Sequence, residues 1–189
     1  KDETLHQRAL YGFALSANRQ VTANNNDAKR VEAAIQSINT LTNKYPKTGL
    51  LMDAALLQAS NRRLKKDFNA AMSELGLVFE NAHRIGDKKA ELLANVELSH
   101  IQTDKGEVLP AFASMLRTII MGANFKDEKL RPVYREVILQ GLAAGAKLPK
   151  SRPQDMRTLC ERFLDNYPGD PETERVQELR KKAIVEMGG

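Results

Sequence analysis

The chain has 189 residues, a length that suits one compact domain or one short repeat array. Apolar residues make up 42% of it but aromatics only 5%, with no Trp, so a core has to come mainly from Ala, Leu, Ile, Val and Met, a composition that leans all-helical. A net charge of +5 spread over both signs falls short of a dedicated nucleic-acid binder, the lone Cys160 excludes an intramolecular disulfide and a Cys-rich zinc site, and no apolar run approaches the ~20 residues of a membrane span.

Periodicity predicts nine helices in chain order. The first, Glu3 to Gln20, carries Leu5, Ala9, Leu10, Phe13, Ala14 and Ala17. A polar break at Asn24, Asn25 and Asn26 follows, and Asn26 or Asp27 can cap the next helix by accepting its orphan N–H bonds. That second helix shows Val31, Ala34, Ile35, Ile38, Leu41 and Tyr45 on one face, and Pro46 stops it. The third, Leu50 to Lys65, is apolar on two sides, as an inner helix of a stack is. The fourth starts near Asp67, carries Phe68, Ala71, Met72, Leu75, Phe79 and Ala82, and ends at Gly86, a natural left-handed cap.

The fifth helix runs from Lys88 to Thr103, and Asp104-Lys105-Gly106 turns the chain. The sixth carries Val108, Phe112, Met115, Leu116, Ile119 and Ile120, with Pro110 in its first turn. The seventh, from Asp127, carries Leu130, Tyr134, Val137, Ile138 and Leu142. Ser151-Arg152-Pro153-Gln154 reads as a capping box for the eighth, which carries Met156, Leu159, Cys160, Phe163, Leu164 and Tyr167. Gly169-Asp170-Pro171 turns, caps and starts the ninth, with Val176, Leu179 and Ala183. No segment alternates with period two, so no sheet is expected.

Few residues carry a signal for chemistry. His6, His83 and His100 are too far apart to form a local ligand pair, and no metal site or cofactor is expected. Cys160 lies on an apolar face and reads as a buried structural thiol. No nucleotide loop, nucleophile elbow or acid–base pair is visible, and Gly141 and Gly145 read as close-packing positions in an Ala-rich helix. The densest basic cluster is Arg62, Arg63, Lys65 and Lys66. It reads either as an anion or nucleic-acid patch or as a solvated helix C-terminus, where cations suit the dipole.

The chain also repeats itself. Asn43-Lys44-Tyr45-Pro46 and Asp165-Asn166-Tyr167-Pro168 close two helices 122 residues apart. Phe68, Ala71, Met72, Leu75 and Phe79 fall on Val108, Ala111, Phe112, Met115 and Ile119 at a shift of 40. In this pattern the chain resembles the tetratricopeptide-repeat (TPR) family. Ala34, Ala71 and Ala111 match its small residue, Ile38, Leu75 and Met115 its bulky residue four positions on, and Pro46 and Pro168 its closing proline. The departures are a period nearer 37–40 than the family's ~34, the absence of its Trp/Leu/Gly/Tyr signature, and Met156 in place of a small residue.

The resemblance implies an all-α fold, a TPR-like α–α superhelix of four to five antiparallel helix pairs. The pairs would span residues 3–45, 49–85, 87–123 and 127–167 of a single repeat domain, with a capping helix at 170–187. It implies a non-catalytic protein-interaction scaffold that takes a protein or peptide in its concave groove. Carried onto this chain, the groove would include Asp53, Ser60, Arg63, Val96, His100 and Thr103, with part of the set in packing between repeats. Ser60 and His100 stand where the family's peptide-carboxylate clamp has Asn, so no clamp is expected.

Lys-Tyr-Pro-Lys-Thr and Asn-Tyr-Pro-Gly-Asp-Pro look like repeats of bacterial cell-envelope assembly proteins, which points to the periplasm. The stretch from Asn81 to Glu91 looks like peptide-sensing regulators, which points to the cytoplasm and to a peptide- or small-ligand-sensing role as the alternative. The chain opens on the polar Lys1-Asp2-Glu3-Thr4 without a Met, which reads as a processed start and leaves a removed signal or anchor open.

Overall fold

A computed structural model describes residues 2–24, 27–122 and 127–188. Among these residues the protein is all-helical, without strands, and its helices pack against their neighbours. The helices are α1 (Asp2–Asn24), α2 (Ala28–Lys44), α3 (Leu51–Leu64), α4 (Phe68–Ile85), α5 (Lys88–Asp104), α6 (Val108–Gly122), α7 (Arg131–Gly145), α8 (Pro153–Asn166) and α9 (Thr173–Glu186). A single 3-10 turn, Glu128–Leu130, leads into α7. The chain divides into two compact units, Lys1–Ile101 and Gln102–Gly189.

In the first unit α1 packs along α2 and α3 along α4, with α2 and α1 also against α3. Ala14, Ala34, Ile38, Leu41 and Ala54 form one core cluster. Ala71, Leu75, Val78, Ala82, Ala90, Ala94 and Ile101 form another. The small residues let the helix backbones approach, and the large aliphatics fill the space between them. In the second unit α6 packs on α7 and α8 on α9, with α7 against α8. Its largest fully buried side chains are Phe112, Phe163, Met115, Ile119, Ile138 and Leu142.

The Tyr-Pro phrase builds the same joint twice. Tyr45 (φ −130°, ψ 66°) and Tyr167 (φ −129°, ψ 56°) cap α2 and α8, each donating its N–H back to the carbonyl four residues earlier. Thr48 N–H then bonds the Tyr45 carbonyl and Asp170 N–H the Tyr167 carbonyl, closing the same turn. Each tyrosine ring ties back to the preceding helix. The Tyr45 hydroxyl lies 2.7 Å from His6 Nδ1 in α1. The Tyr167 hydroxyl donates to the Arg131 carbonyl of α7 at 2.8 Å. Asp170 adds a bidentate pair with Arg135, at 2.6 and 2.8 Å. The hydrogen bond from that guanidinium holds the Asp170 carboxyl down at about 2.

A second joint recurs between these phrases. Lys66, Gly86 and Gly106 all adopt the left-handed conformation, with φ of 62°, 72° and 76°. The acidic residue after each, Asp67, Asp87 or Glu107, donates its N–H to the carbonyl five positions back. Asp67 and Asp87 then cap α4 and α5 through Ala70 N–H and Ala90 N–H. Lys66 is the strained member, because a Cβ in this region costs about 1 kcal/mol. Lys66→Gly is expected to raise stability by roughly 1 kcal/mol in urea unfolding. No gain would mean that the backbone there is already relaxed.

Several expectations are corrected. The buried face of α1 is Ala14, Ala17, Asn18 and Val21, whereas Leu5 and Phe13 are exposed. Asp27, not Asn26, caps α2, with its side chain accepting from Lys29 and Arg30 N–H. Asn25 and Asn26 lie outside the described residues. The capping box at α8 does not form. Pro153 fixes the first helical residue, which makes Arg152 the cap, and the Ser151 hydroxyl bonds Glu186 in place of its own helix. Helix α9 starts at Thr173, with Glu172 at its cap, while Asp170 serves the turn before it.

Candidate interaction cleft

The residues expected along one groove meet different fates. Asp53 is exposed on α3. Ser60 accepts a hydrogen bond from Asn18 Nδ2 of α1 at 3.2 Å, and the same amide reaches the fully buried Asn61 Oδ1 at 2.8 Å. Ser60 thus stands in the contact of α1 with α3. Arg63 pairs with Glu97 of α5 at 2.7 Å, and His100 Nδ1 lies 3.5 Å from the other oxygen of that carboxylate. Val96 is only 7% exposed, so its side chain belongs to packing. Thr103 is exposed beyond the boundary between the two units. Arg63 and His100 are therefore brought together on Glu97, and Asp53 is the open residue of the first unit's part of the set.

The basic cluster ends α3 and is largely paired. Arg62 lies 3.6 Å from Asp67, Arg63 is held by Glu97, and Lys65 meets Glu32 of α2 at 2.5 Å. That hydrogen bond from Lys65, with a second from Gln36, holds the Glu32 carboxyl below its ordinary value. Lys65 caps the helix, and Lys66 just after it takes the left-handed turn of the joint. Cations at a helix C-terminus matched by nearby carboxylates account for the cluster as part of the fold.

Cys160 is fully buried. Burial pushes its thiol up to about 11, outweighing the nearby Arg180, so the nucleophilic thiolate is disfavoured. No group of His, Cys, Asp and Glu suited to a metal ion occurs among the described residues. No described helix is long and apolar enough to cross a membrane.

The feature the sequence did not disclose is a cleft of about 470 Å³ in the first unit. Its walls are α2, through Ile38, Asn39 and Thr42, and α4, through Leu77, Val78 and Ile85. Its floor is α3, through Met52, Ala55 and Gln58. The rim leaves apolar surface open to solvent: Leu77 is 52% exposed, Ile85 60% and Leu51 39%. Leu77 and Ile85 lie off the core stripe of α4, which is Ala71, Leu75, Val78 and Ala82. Surplus apolar residues on the nominally polar face of a helix were the available signal, but a single helix does not show that two others complete a trough.

Polar and charged side chains also line the cleft, among them Asn39, Gln58, Glu74, Asn81 and Arg84. Gln58 is 2% exposed, and its Nε2 donates to Asn39 Oδ1 at 2.8 Å. Its Oε1 is buried and has no hydrogen-bond partner. Glu74 lies on the same wall as Leu77, and burial raises its carboxyl above the ordinary value, against the opposing charge of Arg62. Arg84, ten positions along α4 and so roughly 15 Å further on, hydrogen-bonds Asn81 at 2.9 Å. An apolar trough with a few fixed polar groups can hold a ligand or a partner side chain without chemistry of its own.

The chain matches no protein-family model, and no curated protein is significantly similar to it.

Proposed function

We propose that this protein is a non-catalytic protein-interaction module built on TPR-like helix pairs, with the α2–α3–α4 cleft as its contact surface in the first unit. The carrying observation is the cleft itself, an apolar trough whose rim leaves Leu77, Ile85 and Leu51 in water. Exposed apolar surface bordering a concavity is costly to maintain and marks interaction sites. The repeat supports the TPR-like reading: Ala34, Ala71 and Ala111 are buried, as are Ile38, Leu75 and Met115 four positions later. Even the departure at Met156 has a physical reason. An added Cβ at Gly145 would lie 2.3 Å from Met156 Sδ, so the small residue of that contact stands on α7 and the large one on α8. The two Tyr-Pro joints, alike in dihedral angles and in their ties to the preceding helix, support the same reading.

In a cell-envelope complex or a peptide-sensing regulator the same cleft would serve, so the reading does not depend on the compartment. Nucleic-acid binding through residues 62–66 draws little support, because the arginines and Lys65 lie against carboxylates.

The test compares two faces. Leu77→Lys places a charge in the cleft wall at an exposed position and is expected to weaken partner capture at least tenfold, with thermal stability unchanged within a degree or two, since surface substitutions seldom move stability. Asp53→Lys, on the face lined by α1 and α3, is expected to leave capture intact. The reverse pattern would move the contact surface to the Asp53 face.

A further inference from the structure

Helix α1 presents an apolar face that nothing in the first unit covers. Ala14, Ala17 and Val21 turn into the core. Leu5, Ala9, Gly12, Phe13 and Ser16 recur on the opposite side, where Leu5 is 68% exposed and Phe13 54%. The last helix, α9, shows the usual alternative. Its solvent side carries Glu174, Arg175, Glu178, Lys181 and Lys182, with Val185 as the apolar exception. A glycine inside a helix weakens it, and Gly122, Gly141 and Gly145 each have a side chain packed against the missing Cβ. Gly12, like Gly76 beside Leu77 at the cleft rim, has no packed neighbour within 4 Å of its Cβ position. Nothing within this fold calls for a glycine at position 12.

We infer that the outer face of α1 takes a second copy of this chain, the two α1 helices crossing antiparallel about a two-fold axis level with residues 10 and 11. The charges on the stripe argue for this occupant. The exposed Asp2 stands at one end and the exposed Arg19 at the other, about 25 Å apart along the helix. Antiparallel pairing sets Asp2 of each copy level with Arg19 of the other and so makes two ion pairs, whereas parallel pairing sets Arg19 beside Arg19. In the same register Ala9 comes level with Gly12 and Leu5 with Ser16, so the backbones approach closest at the centre, and Phe13 lies over Ala9 of the other copy. The face is one helix wide, less than the about 800 Å² per partner of a standard interface, so the dimer is weak and concentration-dependent. This contact is separate from the α2–α3–α4 cleft and does not depend on what the cleft binds.

The test is sedimentation equilibrium of the full chain from micromolar to millimolar concentration, where the average mass is expected to climb from monomer toward dimer. Gly12→Leu fills space that is open within one copy, so it is expected to keep or raise the melting temperature while weakening dimerisation at least tenfold. Asp2→Arg is expected to weaken dimerisation several-fold, and Asp2→Arg with Arg19→Asp to restore it, because the swap keeps both ion pairs. A chain that stays monomeric at millimolar concentration would overturn the inference and return the face to a helix of another protein. A dimer that Gly12→Leu leaves intact would place the contact elsewhere on the molecule. A charge swap that fails to restore dimerisation would overturn the antiparallel pairing.

Discussion

Gly122→Ala is expected to destabilise the protein by about 3 kcal/mol or more, lowering the urea midpoint without changing the slope. A Cβ built on Gly122 falls 0.3 Å from the Tyr134 hydroxyl oxygen and 1.6 Å from its ring carbon Cζ. The tyrosine therefore occupies the volume that any side chain at position 122 would need. It cannot withdraw cheaply. Its hydroxyl donates to the Thr118 carbonyl at 3.1 Å, and Thr118 is itself buried beside Ile119. Burial pushes the phenol up to about 12, so it stays a neutral donor through the accessible range.

The gain in helix propensity from Gly to Ala, about 1 kcal/mol, is smaller than the loss of a packed aromatic. The coupling is the sharper readout. Tyr134→Leu alone should cost about 2–4 kcal/mol, yet in the Gly122→Ala background it should cost far less, because the ring has already been displaced. Additive effects would show that the ring does not fill the glycine position.

Phe112→Ala is expected to cost about 3–5 kcal/mol, the range for a fully buried aromatic whose site cannot collapse. Its ring lies over α7 at Gly145, where an added Cβ would come 2.8 Å from Phe112 Cε2 and 2.3 Å from Met156 Sδ. Met156 can move its flexible end aside, but Phe112 cannot. Gly145→Ala alone should therefore cost about 1–3 kcal/mol by overpacking, and part of that cost should vanish in a Phe112→Leu background. A Phe112→Ala variant within 1 kcal/mol of wild type would mean that the second unit is loosely packed at its centre.

Much of this packing was legible in the sequence. Helices α2, α4 and α6 carry clear helical periods, and Ile38, Leu75 and Met115 are buried as their spacing predicts. Gly141 and Gly145 read as close-packing positions and are such: a Cβ on Gly141 would meet Leu159 Cδ1 at 3.2 Å. The helix α3 was legible only in part. Its apolar residues predict burial on two sides, but the buried set includes Gln58 and Asn61, whose amides face partners on α2 and α1. A polar residue on a helix carries no mark of whether a neighbour will satisfy it inside.

The expected groove residues were placed by family spacing, which fixes the face of a helix but not what lies against it. Glu97 was absent from that set, and it is the group that gathers Arg63 and His100. The cleft escaped for the same reason. Ile38, Gln58 and Leu77 are far apart in the chain, and only the packing of α2, α3 and α4 makes them one surface. The Lys66 joint shows the limit at the level of the backbone. Gly86 and Gly106 announce a left-handed cap, while a lysine in the same conformation does not.

The most direct measurement is photo-crosslinking from single positions. A benzophenone side chain at position 77, in the cleft wall, is compared with one at position 53, on the opposite candidate face, in cells that express the protein. The account predicts one discrete cross-linked partner from position 77 and little product from position 53. Cross-linking from position 53 alone would contradict it and return the contact surface to the face first expected from the repeat.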